Sequence, residues 1–245
     1  MVLFEKVLDI FNLKLSINRK RPKTITKFER EEKNFNDIFS SIGMSGNQIV
    51  DLEKLSSCAQ EIPGMTDSKA GQFLFTMCYL QQEEGDVVEI GSWQGRSTSY
   101  LARAVQSSGN GKMYAIDPFT GNVGKESYYV VNKNDLSDLK DNFLNNIKML
   151  GLADVVELLP MTSDKASLIL ADKKVRYLFI DGDHSEEGVT KDLECFFPLI
   201  RPGGIIVFDD FLQNATGLIS AVNRHMQKNK PKKAFTFKKT LVIQY

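Results

Sequence analysis

The chain has 245 residues, 42% hydrophobic and 25% charged, which is enough to bury a sizeable core and ordinary for a globular protein. Its 31 Lys and Arg balance its 31 Asp and Glu, so no global field selects nucleic acid. Three scattered cysteines, Cys58, Cys78 and Cys195, exclude a disulfide framework or a thiolate zinc site, and no apolar run approaches the ~20 residues of a bilayer span.

Glu5, Lys6 and Asp9 interrupt the first apolar residues, so the N-terminus lacks a signal-peptide pattern and a cytoplasmic location is expected. Leu3, Phe4, Val7, Leu8, Phe11 and Leu15 fall near helical spacing and predict an amphipathic helix, able to dock on the domain, on a second subunit or on a membrane surface. The stretches 19–33 and 224–239 are rich in Lys and Arg. They read as solvated surface, with a rim for acidic glycans, phosphates or a membrane as the functional alternative. Helical patterns recur at 35–39 and 49–59 before Pro63-Gly64 punctuates the chain. Residues 1–62 are therefore expected to form a helical extension or lid, whose helices offer a surface for homo-oligomerisation.

From residue 65 strands and helices alternate. A helix over 70–81 leads to the strand Val87-Val88-Glu89-Ile90, then a helix over 96–106 and the strand 113–116. A long polar loop, 118–134, carries Tyr128 and Tyr129, a possible substrate lid, and precedes a helix over 135–149. A strand over 155–159, a short helix over 164–170, a strand over 175–180 and a helix over 187–200 follow. Pro202-Gly203-Gly204 then turns the chain into the strand 205–208. A helix over 215–228 and two strands, 234–237 and 241–245, complete the order; the strands lack room for a helix between them and must form an antiparallel hairpin. Near-continuous apolar strands between helices predict an α/β fold: a Rossmann-like, doubly wound, mainly parallel seven-stranded sheet over 63–245, with a C-terminal antiparallel hairpin and the N-terminal helical segment.

The stretch from Val88 to Thr98 ends a strand, turns on Gly91 and Gly95, and opens a helix. Gly91 permits a tight turn, Gly95 a close approach to a ligand, and the helix start offers free N–H groups to a carboxylate or phosphate. The spacing is G-x-x-x-G. The dinucleotide fingerprint G-x-G-x-x-G would need its middle glycine at Trp93, where the indole obstructs a pyrophosphate. Asp117, at the end of the second strand, can accept hydrogen bonds from ribose hydroxyls. On the other half, Asp181, Asp183 and His184 follow the fourth strand, and Asp209 and Asp210 the fifth. If those strands are neighbours, ~4.8 Å apart, these carboxylates share the crevice at the carboxyl edge and call for a cation, with hard oxygen ligands favouring Mg²⁺ or a similar divalent ion.

The glycine turn flanked by Glu89 and Asp117 resembles the binding loop of class I S-adenosylmethionine-dependent methyltransferases. The resemblance, over roughly 64–245, implies that Glu89, Gly91, Ser92, Gly95, Ser97 and Thr98 surround the cofactor, that Asp117 holds its ribose, and that Thr162, Ser163 and Asp164 contact adenine, with Asp181 beside the methionine end. Asp-Gly-Asp-His-Ser after the fourth strand, with Asp-Asp after the fifth, resembles the metal-dependent bacterial O-methyltransferases of the macrocin and catechol type. That likeness implies a metal site of Asp181, Asp209 and Asp210. Asp183 and His184 compete for the role of base, and His184 has the better intrinsic pKa; His225, in a Lys/Arg-rich helix, is expected at the surface. The acceptor implied is a hydroxyl of a small molecule or sugar. An NAD-dependent oxidoreductase and a non-catalytic binding module on the same fold are the alternatives, opposed by the missing middle glycine and by the intact glycines and carboxylates.

Overall fold

A computed structural model describes residues 39–40, 42–120 and 138–245. The amphipathic helix expected at the start of the chain, the basic stretch 19–33, most of the pattern at 35–39 and the loop carrying Tyr128 and Tyr129 lie outside the described residues. Five strands run parallel: β1 (Asp86–Ile90), β2 (Met113–Ile116), β3 (Val156–Leu159), β4 (Val175–Ile180) and β5 (Ile200–Phe208). The hairpin of β6 (Lys233–Phe237) and β7 (Thr240–Gln244) completes a seven-stranded sheet in the order β3-β2-β1-β4-β5-β7-β6. The antiparallel partner of β5 is β7, so the last strand lies inside the sheet and β6 takes the edge.

Helices cover both faces, as the apolar strands require. Packed on one face are α1 (Gly46–Glu61), α2 (Ser68–Leu80), α3 (Arg96–Ser108) and α4 (Leu139–Met149), whose Leu55, Phe73, Leu101 and Phe143 meet Val87, Phe179 and Val207. On the other are α5 (Ser163–Ile169), α6 (Glu186–Phe196) and α7 (Thr216–Lys228), whose Ala166, Leu193 and Val222 meet Val88, Leu178 and Ile206. The alternation of Val87 and Val88 between the two cores is the period-two signature of a doubly covered strand. α1 starts at a capping box of Ser45 and Gln48. It lies in the core of the α/β unit: Leu52, Leu55 and Ala59 are buried there, and Ser56 Oγ is 2.9 Å from Tyr100 Oη. No described helix is long and apolar enough to cross a membrane.

The segment between α6 and β5 departs from the sequence expectation. The helix stops at Phe196, a 3₁₀ turn with Pro198 follows over Phe197–Leu199, and the strand begins at Ile200 instead of after the glycines. Pro202-Gly203-Gly204 is an irregularity within the strand: Val175 pairs with Ile200, but Tyr177 already pairs with Ile205. The extra residues are held by the end of β7, whose Tyr245 carbonyl accepts the Gly203 N–H at 2.7 Å.

Arg176, within β4, is fully buried. Its guanidinium donates to the carbonyls of Cys78, Gln81, Gly85 and Asn110 at 2.7–3.1 Å. Two of these lie at the C-terminal end of α2, where a cation also complements the helix dipole. The planar fork thus ties α2, the turn into β1 and the turn after α3 to the middle of the sheet. Arg176→Met strands these carbonyls in a dry interior. We expect it to lower the unfolding free energy by about 3 kcal/mol, measured from the urea midpoint; a midpoint within error of wild type would show that water replaces the guanidinium.

Candidate active site

The carboxyl edge of the sheet is extended one residue past each strand by ladder hydrogen bonds, with Gly91 N–H to Ile116 O, Asp117 to Leu159 O, Asp181 to Ile90 O and Asp209 to Ile180 O, at 2.8–3.3 Å. Four of the residues singled out from the sequence therefore stand in a row along one edge, each fixed by the strand beside it. Gly91 has φ +92, and a Cβ there would stand 2.2 Å from the Asp181 carbonyl oxygen. This glycine is required both by its left-handed backbone and by the neighbouring chain. Gly95, also left-handed at φ +93, is the N-cap of α3. The space its Cβ would take is filled by Phe143 and Ile147 at 3.2 Å, so its small size serves the packing of the loop on α4.

Trp93 occupies the left-handed region at φ +47, uncommon for a bulky residue. Its N–H donates to Asp117 Oδ2 at 2.8 Å, and the Phe119 N–H donates to Asp117 Oδ1 at 2.7 Å. Asp117 thus braces the glycine loop, with the Ser92 N–H also turned to it, against the chain leaving β2, and its carboxylate keeps room to accept from a further donor. Burial raises its pKa against the pull of those N–H groups.

Beneath the loop, Glu89 is fully buried and Thr98 Oγ1 donates to its Oε2. Burial pushes the Glu89 carboxyl up to about 7, against the hydroxyls of Ser97 and Thr98. Ser97 and Thr98 serve this carboxyl from the first turn of α3. Glu89 Oε1 and Ser92 Oγ are buried without a hydrogen-bond partner. At α5, Thr162 is exposed at the N-cap, Ser163 Oγ donates to Asp192 Oδ1 at 2.5 Å, and Asp164 pairs with Lys191 at 3.2 Å. The Ser163 hydroxyl is thereby committed to α6, and burial pushes its partner Asp192 up to about 6.

β4 and β5 are neighbours in register, Ile180 opposite Phe208, so Asp181 and Asp209 end adjacent strands as expected. His184 Nε2 lies 3.5 Å from Asp181 Oδ1, and His184 Nδ1 lies 3.9 Å from Asp210 Oδ2. Burial and then Asp209 push Asp181 up to about 7, while Asp181 raises the pKa of His184. Asp183 is engaged elsewhere: its oxygens accept the Ser185 N–H at 2.9 Å and the Ser185 hydroxyl at 2.8 Å, at the start of α6. Among the described residues, Asp181, His184 and Asp210 offer ligand atoms within 4.8 Å of one another. That group does not include Asp209, which the sequence reading had joined to the metal set.

Asp209 is held instead by Lys239, a residue the sequence reading missed. Its Nζ sits 2.8 Å from Asp209 Oδ2 and 2.8 Å from Asp210 Oδ1, and Thr240 Oγ1 donates to Asp209 Oδ1 at 3.4 Å. The signal was present in the hairpin. β7 pairs Leu241 with Phe208, and continuing that register sets Thr240 opposite Asp209 and Lys239 opposite Asp210. Lys238, at φ +52 in the same turn, pairs with Asp67 at the N-cap of α2, 3.0 Å away. His225 also differs from expectation: it is half-buried against Phe197 and Tyr245, with ring centroids 4.5 and 5.5 Å away, and burial pushes it down to about 4.

A glycine turn, a ribose-type acid and a carboxylate crevice along one edge of this strand order narrow the comparison with known proteins. The profile of the family described as "Methyltransferase domain" matches residues 88–211, from the middle of β1 to just past β5. The chain belongs to that family. The chain is 27% identical over 143 residues to the 8-demethyl-8-(2,3-dimethoxy-alpha-L-rhamnosyl)-tetracenomycin-C 4'-O-methyltransferase of Streptomyces olivaceus. That match covers 54% of this chain and 54% of the relative, so the chain spans about half the length of the curated relative it matches. The O-methyltransferase NovP shares the fold with a TM-score of 0.65 at 20% identity, covering 84% of this chain and 98% of that one. An O-methyltransferase from Bacillus cereus in complex with SAH gives 0.56 at 17% identity, covering 86% and 96%. Family membership decides against the nicotinamide oxidoreductase.

Glu89 gives the methyltransferase domain a testable pH signature. Its folded carboxyl titrates above its unfolded one, so its contribution to stability is fully present below about pH 4.5 and is lost as pH rises to about 7. Glu89→Gln carries no such loss. Relative to wild type, the variant should gain about 3 kcal/mol across that window, read from urea midpoints at its two ends; a flat difference would mean that Glu89 is ionised in the fold.

Proposed function

We propose that the protein is an S-adenosylmethionine-dependent O-methyltransferase acting on a hydroxyl of a small molecule, most specifically a sugar. The observation that carries this reading is the contact between Gly91 and the Asp181 carbonyl, which puts the glycine loop and the carboxylate crevice side by side at the switch point between β1 and β4. The sugar comes from the Streptomyces relative, named for methylating a rhamnosyl group. A cytoplasmic setting agrees with the free thiols of Cys58, Cys78 and Cys195.

The residues present fit the cofactor. The Gly91–Gly95 turn and the start of α3 offer N–H groups to its carboxylate, Asp117 keeps room to accept from a ribose hydroxyl, and the partnerless Ser92 Oγ and Glu89 Oε1 lie at the same turn. Thr162 and Ser163, at the start of α5, take the adenine side. They also fit a divalent cation, because Asp181 and Asp210 supply hard oxygen donors close together, with Asp209 next to them. When bound, the cofactor supplies an electrophilic methyl on sulfur, and the cation a Lewis acid that acidifies the acceptor hydroxyl. The chain's own part is to align the acceptor oxygen with that methyl and to take its proton. His184 is the base in this reading, since Asp183 is engaged with Ser185 while the imidazole faces Asp181 and Asp210.

In calorimetry, S-adenosylhomocysteine should bind the purified chain and NAD should not. Binding of NAD without a response to S-adenosylhomocysteine would overturn the assignment. Asp117→Ala should weaken S-adenosylhomocysteine about tenfold or more while the far-ultraviolet spectrum stays native, since both the ribose acceptor and the brace on Trp93 are lost; unchanged affinity would leave Asp117 a purely structural residue. With a deoxysugar acceptor, His184→Gln should lower kcat by about 10²-fold or more with little change in S-adenosylhomocysteine affinity. An unchanged kcat would remove His184 from the proton transfer.

A further inference from the structure

The crevice already contains a cation that belongs to the chain. Lys239 Nζ lies 2.8 Å from one oxygen of Asp209 and 2.8 Å from one oxygen of Asp210, contacts short enough for two charge-assisted hydrogen bonds. Those are two of the three carboxylates that the divalent-ion reading needs, the third being Asp181. We propose that Lys239 is a built-in competitor for this site: it neutralises the crevice and gives up Asp209 and Asp210 when a divalent ion takes them. The inference rests on the cation reading above and concerns how that ion is admitted.

The surroundings suit a side chain that moves on a backbone that does not. Lys239 belongs to the two-residue turn between β6 and β7, pinned on both sides: Phe211 N–H donates to the Lys239 carbonyl at 2.7 Å, and Lys238 pairs with Asp67 at 3.0 Å. The Lys239 side chain is 25% exposed while its partner Asp209 is 8% exposed, so the ammonium has solvent to swing into and the carboxylate has none. A lysine is a point charge on a flexible four-carbon stem, unlike an arginine fork fixed by two parallel bonds. An ammonium and a divalent ion on the same carboxylates compete, because like charges a few ångströms apart repel strongly in a half-buried site. Without the ammonium, Asp181, Asp209 and Asp210 would crowd one crevice with, among the described residues, His184 beside them.

Two consequences follow. The tethered ammonium lowers the apparent affinity for any ion by the fraction of time it occupies the carboxylates. It also selects against monovalent ions, which bring no more charge than they displace, and so reserves the crevice for a divalent one.

The test is Mn²⁺ binding to the full chain by titration calorimetry, together with melting temperatures in chelator and in excess Mn²⁺. We expect Lys239→Met and Lys239→Gln to bind Mn²⁺ about tenfold more tightly than wild type, or better. In chelator both should melt below wild type, and Mn²⁺ should raise their melting temperatures by more than it raises that of wild type. Should Lys239→Met not fold, Lys239→Gln and the wild-type chain suffice for the comparison. Equal Mn²⁺ affinity in wild type and variants would overturn the competition while leaving the cation site in place. Absence of Mn²⁺ binding in every form would overturn both, leaving Lys239 as the permanent counter-ion of the crevice.

Discussion

Three neighbouring strands, β1, β4 and β5, carry Glu89, Asp181, Asp209 and Asp210 at or just past their carboxyl ends, and this crowding of negative charge governs how the active edge is built. Each carboxylate is dealt with differently. Glu89, sealed under the loop, meets hydroxyls and has its pKa raised toward neutrality. Asp181 faces His184, and Asp209 and Asp210 share the ammonium of Lys239. Because a buried charge without a partner costs several kcal/mol, the hairpin that delivers Lys239 is part of the site and more than an edge cover for the sheet.

The loop and the crevice are one construction. Gly91 can have no side chain because the Asp181 carbonyl occupies that space, so β1 and β4 must lie in contact where the loop turns. Asp117 then holds Trp93 in an unfavourable left-handed conformation through its N–H, which directs the loop between β1 and β2. Strain in the loop is thus offset by hydrogen bonds from the strand end beside it, and the cost lies where a ligand would be held. The same braces explain how a tryptophan can stand where a dinucleotide-binding protein needs glycine.

Much of this was legible in the sequence because it is local or periodic. Apolar runs such as Val87-Val88 and the strand around Leu178 announce strands covered on both faces, and their alternation with helices fixes a mainly parallel sheet. Glycines and acids placed at strand ends then fall on one edge by topology alone. What failed was what depends on distant pairing. Pro202-Gly203-Gly204 looks like a turn in isolation and becomes an irregularity of the strand where Gln81, Gln244 and Tyr245, all distant in sequence, hold it. Lys239 looked like one of many basic residues, and only the register of β7 against β5 brings it to Asp209 and Asp210. The packing of Gly95 against Phe143 and Ile147, of a helix about fifty residues on, likewise could not be seen from the loop alone. Asp183 and His184 were indistinguishable by spacing, and the hydrogen bonds at the start of α6 separate the two.

The guanidinium of Arg176 has a bearing on the order in which the chain assembles. The carbonyls it satisfies belong to residues 66 to 98 positions earlier, at the end of α2, in the turn into β1 and in the turn after α3. As the polypeptide leaves the ribosome, α2, β1 and α3 are complete long before the residue that closes their open carbonyls has been made. An N-terminal half ending before β4 therefore lacks this internal fastening. Final closure of the sheet is deferred until its central strand arrives.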